Sequence, residues 1–330
     1  MLPTTSRSVL LTALVLLSVV SMLFASFAGS VAMSPGAWSS ALLNPDSPDG
    51  ALLWQLRLPR ALAAWVVGAM LALAGCLMQV LLRNPLADPY ILGVSGGAAF
   101  AALAGMTLGV AAALVPVLAL LGAFASILIV FGLARGSGPW SGTRLLLTGV
   151  VTAAGWAALI SMVLATGSDN SLRGMLFWLM GDFSYASLPV WAVAALLLGL
   201  ALTLGMARSL NVLAMGETTA SLLGESTRKL LWFLYALASL LTAAAVAVAG
   251  TIGFVGLIVP HLVRLVTGSD HRLLIPASAL FGGSFLVFSD TLARTVMAPR
   301  QLPVGVVTAL LGVPLFLVLL NRARIRSPDA

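Results

Sequence analysis

From residue 90 to residue 134 the chain carries no charged side chain. A bilayer core about 30 Å thick takes roughly 20 apolar residues per helix, so this block is too long for one span and suited to two. Gly109 is the expected break, with Pro116 the other candidate. Similar runs recur along the chain: 60% of its 330 residues are hydrophobic and 8% charged, at a mean hydropathy of +1.09. Water-facing surfaces need far more charge, which excludes a soluble globule. The runs exceed the roughly 10-residue segments of an outer-membrane barrel and lack their alternation. Helices are the spanning element that remains, because only they satisfy their own backbone in lipid.

Ten apolar segments emerge: 9 to 28, 61 to 82, 91 to 109, 113 to 134, 145 to 165, 188 to 207, 230 to 249, 252 to 267, 273 to 292 and 303 to 321. The expected fold is an all-α integral membrane protein with ten transmembrane helices in one domain, 1–330. The first segment reads as a span and not a signal peptide, since it exceeds the usual 7 to 15-residue apolar region and more spans follow. All basic residues are arginine except Lys229, and the net charge is +7. With the N-terminus inside, twelve of the seventeen basic residues fall on inner loops and span ends. That asymmetry places both termini in the cytoplasm and makes the charge a topology signal, not a nucleic-acid footprint.

Three connections are too long for turns. Residues 29 to 60 and 166 to 187 lie outside, the second apolar enough for a short interfacial or re-entrant helix. Residues 208 to 229 lie inside and read as a glycine-interrupted amphipathic pair, with Leu213, Met215, Leu222 and Leu223 available for contact. Docking surface and solvated linker both fit that pattern.

Catalytic signatures are scarce. No phosphate-binding loop is present, and two histidines with one cysteine, Cys76, make no metal site and no internal disulfide. "GVSGG" at 93 to 97 with His261 admits a serine-histidine dyad of an intramembrane protease. Glycines beside a serine also let helix backbones approach, and that packing reading competes with catalysis. An acid in a span costs on the order of 3 kcal/mol, so Asp290 needs a partner or a watery cavity. Arg294, four residues on, supplies the simpler answer, and a proton relay the other.

Five stretches, "RLPR" (57 to 60), "RNPLADPYILGVSGGA" (83 to 98), "GTIGFVGLIVPHLVRLVTGSDHR" (250 to 272), "SDTLAR" (289 to 294) and "LPVGVVTALLGVPLF" (302 to 316), resemble the FecCD-type permease subunit of bacterial ABC importers for iron-siderophore, haem or vitamin B12. The likeness runs over essentially the whole chain, in order.

The resemblance implies an inner-membrane permease that pairs with a second copy, engages two cytoplasmic ATPase subunits and receives cargo from a periplasmic substrate-binding protein. ATP and magnesium would sit on the ATPase, with no cofactor and no metal in this chain. The loop between spans six and seven would hold coupling helices, with Glu217, Ala220, Leu223 and Gly224 against the ATPase. Arg57, Arg60 and Arg294 match positions that meet carboxylates of the binding protein, although arginines also snorkel to headgroups. Ser141, Gly142 and Thr143 match the cytoplasmic gate, and Arg173, Trp178 and Met180 the outer pathway around a short helix at 171 to 183. Arg83, Asn84, Pro85, Asp88 and Pro89 form the signature turn where the prolines break the helix at the cytoplasmic face. Gln301 stands where the family usually has an acid, which would leave Arg294 and Arg300 freer for a partner. An ion-coupled secondary transporter is the remaining alternative. No residue here reads one chelate over another.

Overall fold

The computed structural model describes residues 4–31, 33–134, 142–184 and 188–326, and among them every regular element is helical. The helices are α1 (Thr4–Phe27), α2 (Pro35–Leu43), α3 (Pro48–Ala51), α4 (Leu58–Leu81), α5 (Val94–Thr107), α6 (Val115–Ala134), α7 (Gly142–Thr166), α8 (Asp169–Leu179), α9 (Val190–Gly205), α10 (Ala207–Ala214), α11 (Glu217–Leu222), α12 (Thr227–Ala249), α13 (Val255–Thr267), α14 (His271–Thr295) and α15 (Val304–Arg326). Each of the ten apolar segments falls on one of these. Among the described residues six helical stretches are long and apolar enough to cross a membrane, and α9, 16 residues long, passes the same test only when taken together with α10, to which it is bent by 59°. The other three apolar helices, α5, α13 and the stretch Val304–Leu319 of α15, are shorter.

Two of the short helices have a physical cause. At about 1.5 Å per residue, α5 and α13 each cover roughly 20 Å, less than the apolar thickness of a bilayer. Irregular backbone makes up the rest. Ahead of α5, Asp88 accepts from the Tyr90 N–H (2.8 Å) and starts a 3-10 turn over Pro89–Leu92, and Gly93, at φ 72°, reverses into the helix. Ahead of α13, residues 250–254 run non-helically between Gly250 (φ 69°) and Phe254 (φ 71°). Such backbone survives at membrane depth only inside protein. Ile252 is fully buried and its N–H reaches the Tyr90 hydroxyl at 3.0 Å, while the Thr251 hydroxyl donates to the Leu179 carbonyl.

The centre of the molecule is α4, which is buried on all sides over nearly its whole length. That position explains its uniformly apolar sequence, because a helix with no solvent face has no room for a polar stripe. Around it stand α12, α13 and α14. Gly68 of α4 and Gly282 of α14 lie back to back, each Cα against the other's carbonyl, and Gly75 faces the Gly256 carbonyl of α13, while Gly256 itself packs on Pro89 and the Leu71 carbonyl. Without a hydrophobic drive between helices in lipid, such contacts supply cohesion by dispersion. The "GVSGG" glycines serve the same purpose: Gly97 abuts Gly122 of α6, and Gly96 faces the Trp156 ring of α7. By contrast, only 11% of α7's apolar window is buried.

Replacing Gly282 by valine should drive new carbons into the α4 backbone, which cannot retreat. The expected loss is about 1–3 kcal/mol, read as a lower thermal midpoint of the purified protein in nanodiscs. Gly132→Ala, at a site with nothing within 4 Å, should leave the midpoint in place.

Candidate functional site

At one end of the α4–α14 pair, two guanidinium groups meet a single carboxylate and a third lies on the same cavity wall. Arg60, in the first turn of α4, directs Nε and Nη2 onto Asp290 of α14 at 2.8 to 3.2 Å. Its Nη1 donates to Gln301 Oε1 at 2.9 Å. Arg294, one turn beyond Asp290, places Nε 3.3 Å from Oδ2 and donates from Nη2 to the Ala25 carbonyl of α1 at 3.0 Å. Arg57 satisfies itself on backbone, donating to the carbonyls of Ser26, Phe27 and Val31 at 2.6 to 2.9 Å. Asp290 is 1% exposed, so the cost of burying an acid at this depth is met by two cations and not one.

This geometry corrects part of the sequence reading. Asp290 and Arg294 do pair, as their spacing suggests, but Arg60 is the better-placed partner. Arg57 and Arg294 are 3% and 4% exposed, with their donors turned to backbone carbonyls and to Asp290. Nor does Gln301 leave Arg294 free: it takes a hydrogen bond from Arg60 while Arg294 holds Asp290. Arg300 alone among them is exposed.

The cluster forms the floor of a cavity of about 820 Å³ lined by Arg57, Arg60, Arg294, Ser184 and Gln301. A second cavity of about 710 Å³ shares Ser184 and Gln301 with it and is lined by Arg173, Phe177 and Trp178 of α8. Arg173 is exposed and lies over the Phe177 ring, 5.6 Å from its centre. The end of α8 is pinned by backbone bonds: Asp182 N–H to the Ala249 carbonyl, Val304 N–H to Gly181 and Gly305 N–H to Met180, at 2.9 to 3.0 Å. The expected short helix at 171 to 183 is therefore present, with Trp178 on a cavity wall and the Met180 backbone in the staple.

At the opposite end of α4 and α14, α10 and α11 form a hairpin about Gly216, at φ 118°. Its tip exposes apolar side chains, with Met215 70%, Leu222 84% and Leu223 63% accessible, next to exposed Gly224, Arg228 and Lys229. Leu213 and Ala220 depart from expectation. Both are fully buried, because the inner stripe of each short helix packs on the bundle. Glu217 is held by Arg83, Oε1 to Nη2 at 2.6 Å. Arg83 itself sits at φ 48°, a left-handed conformation unusual outside glycine, at the turn that ends α4. In that turn Asn84 Oδ1 accepts from Leu86 N–H at 2.9 Å, Pro85 is exposed, and Pro89 is buried against Gly256. Of the expected gate residues, Ser141 lies outside the described residues, Gly142 begins α7 near the Leu82 side chain, and Thr143 is exposed.

One joint escaped the sequence entirely. Asn211 of α10 accepts from both the backbone N–H and Nδ1 of His271 (2.9 and 2.7 Å) and donates to Asp270 Oδ1 at 2.9 Å. The Asn211 hydrogen bond, aided by Arg7 and Arg272, holds the Asp270 carboxyl below its ordinary range. Nothing local signals a contact across some sixty residues. The dyad reading fails on geometry: among the described residues no hydrogen bond joins Ser95 to His261, whose Nδ1 is buried without a partner. Among the described residues no cluster of histidine, cysteine and acid could hold a metal.

The model of the FecCD transport family matches residues 14–322. The haemin transport system permease protein HmuU of Yersinia pestis is 41% identical, over 90% of this chain and 92% of its own length. The vitamin B12 import system permease protein BtuC of Klebsiella pneumoniae is 40% identical, over 95% and 94%. A solved metal-chelate type ABC transporter in an inward-facing conformation superposes with a TM-score of 0.83 at 31% identity, over 96% of this chain and 99% of its own.

Substituting Asp290 by asparagine should strand two buried guanidinium groups. A loss of about 3–5 kcal/mol is expected, seen as a lowered unfolding midpoint in nanodiscs, whereas Arg300→Gln should leave the midpoint unmoved.

Proposed function

The chain belongs to the FecCD transport family, and from that premise we propose that it is the membrane permease of an ABC importer that carries an iron chelate, haem or cobalamin inward. The observation that carries the reading is the match over residues 14–322. Two surfaces support it physically. One is the apolar tip of the α10–α11 hairpin, Met215, Leu222 and Leu223, which is costly to leave in water and fits a protein partner. The other is the cavity over Arg60 at the far end of the same helices.

In this reading ten helices cross a bacterial inner membrane as one domain with both termini in the cytoplasm. A second copy of the chain completes the passage. Two ATPase subunits bind the hairpins and carry ATP and magnesium, while a periplasmic binding protein docks outside. Glu217, Leu223 and Gly224 meet the ATPase, and Ala220 braces the hairpin from behind. Acids of the binding protein enter the cavity that Arg60 lines, with Arg57 and Arg294 supplying positive potential from beneath instead of contacts. Charge complementarity of this kind steers docking more than it tightens it. Cargo then passes Arg173 and Trp178 toward a gate around Ser141, Gly142 and Thr143. In this reading Asp290, enclosed between two arginines, serves to hold α4 and α14 together.

Reconstitution with ATPase and binding-protein partners in vesicles tests this. Haem, cobalamin and ferric siderophores are supplied in turn with loaded binding protein outside, and accumulation is followed with and without ATP. One cargo class should accumulate only with ATP and the ATPase; uptake that persists without them would overturn the reading in favour of an ion-coupled carrier. Ser95→Ala should retain uptake close to the wild-type level, since Ser95 makes no hydrogen bond to His261.

A further inference from the structure

The α10–α11 hairpin touches the bundle through polar contacts at two places. Glu217 reaches Arg83 at the end of α4, through side chains that are each more than two-fifths exposed. Asn211 reaches Asp270 and His271 at the start of α14, where His271 is 2% exposed. The second contact is the stronger one, because three hydrogen bonds converge on one amide and two of them come from the buried His271. It also takes in α1, whose Arg7 lies 3.5 Å from Asp270 Oδ2.

The start of α14 depends on that amide. Asp270 is its N-cap, accepting from Arg272 N–H at 3.1 Å, and the His271 N–H, one of the donors a helix cannot satisfy itself, goes to Asn211. Pro276 leaves the Arg272 carbonyl without its intrahelical donor, which weakens the first turn. Beyond that point α14 runs on to Thr295, back to back with α4 at Gly282, and carries Asp290 and Arg294 into the cluster with Arg60. One rod thus has the hairpin tied to its first turn and the arginine cavity built on its last.

We infer that Asn211 is a positioning residue, the joint through which the hairpin and the arginine cavity communicate along α14, with α4 as its brace. The inference rests on the permease reading above. A displacement of the hairpin reaches His271 and Asp270 through the amide, and α14 delivers it to Asp290. Occupancy of the cavity acts back on the hairpin by the same route, as linkage between two sites requires.

The test uses the full chain in nanodiscs with its ATPase and binding-protein partners. Asn211→Asp sets a second carboxylate against Asp270, and adding Asp270→Asn returns an amide to the same contact from the other side. ATP hydrolysis is measured with and without binding protein loaded with haem, cobalamin or a ferric siderophore, whichever stimulates the wild type. For Asn211→Asp, ATPase co-purification and basal hydrolysis should hold while the ratio of stimulated to basal rate falls about fivefold or more. The double variant should recover the ratio. If Asn211→Asp does not assemble, Asn211→Ala should show the same fall in ratio. An unchanged ratio, a proportional fall of both rates, or a double variant no better than the single would each overturn the assignment. A wild type that no loaded binding protein stimulates would instead overturn the permease reading, before any variant is made.

Discussion

Lipid offers no hydrogen bond to a stray backbone group, and the architecture follows from that constraint. Every departure from regular helix at depth is answered by a neighbour. The bend before α13 rests on Tyr90 and on the carbonyl of Leu179, the end of α8 on Ala249, Val304 and Gly305, and the turn before α5 on the Asp88 cap. Charge obeys the same rule at higher stakes. Asp290 is tolerable only because Arg60 and Arg294 both face it, and Arg57 because three carbonyls do. Polar groups are therefore tied in sets, and each set links several helices.

Those ties divide the molecule by stiffness. Between α4 and α14 the contact combines close glycine backbones, a bidentate ion pair and burial on nearly all sides of α4. Packed interiors of this density shift as units and do not deform continuously. On α7 little of the apolar surface is covered, and its contacts with α5 run through glycines and the Trp156 ring.

The elements were legible where the physics is local. Ten apolar segments could be marked because a lipid-facing or lipid-depth helix must be apolar along its own length, and the hairpin of α10 and α11 could be read from Gly216 and its amphipathic flanks. The break near Gly109 is where the structure puts it, between α5 and α6. Spacing also gave the Asp290–Arg294 pair. It could not give Arg60, which lies 230 residues from Asp290, or Asn211, which lies 60 from His271. Exposure was misjudged for a related reason. The amphipathic pattern offers Leu213 for contact and the resemblance offers Arg57, Arg294 and Ala220, but which side of a short element faces the bundle depends on neighbours far away in the chain.

The arginine cluster also bears on what kind of ligand the outer cavity can receive. A site built to grip an anion from outside would leave donors pointing into the cavity, yet most guanidinium donors here are already committed to Asp290, Gln301 and backbone carbonyls. What remains is positive charge close beneath the cavity surface from Arg57, Arg60 and Arg294, offset in part by Asp290 and by Asp49 near Arg57. Fields of that sort act at a distance and raise encounter rates without demanding a fixed bonding geometry. In the permease reading proposed above, a surface so arranged favours a partner that must dock, deliver and leave over one that must stay bound.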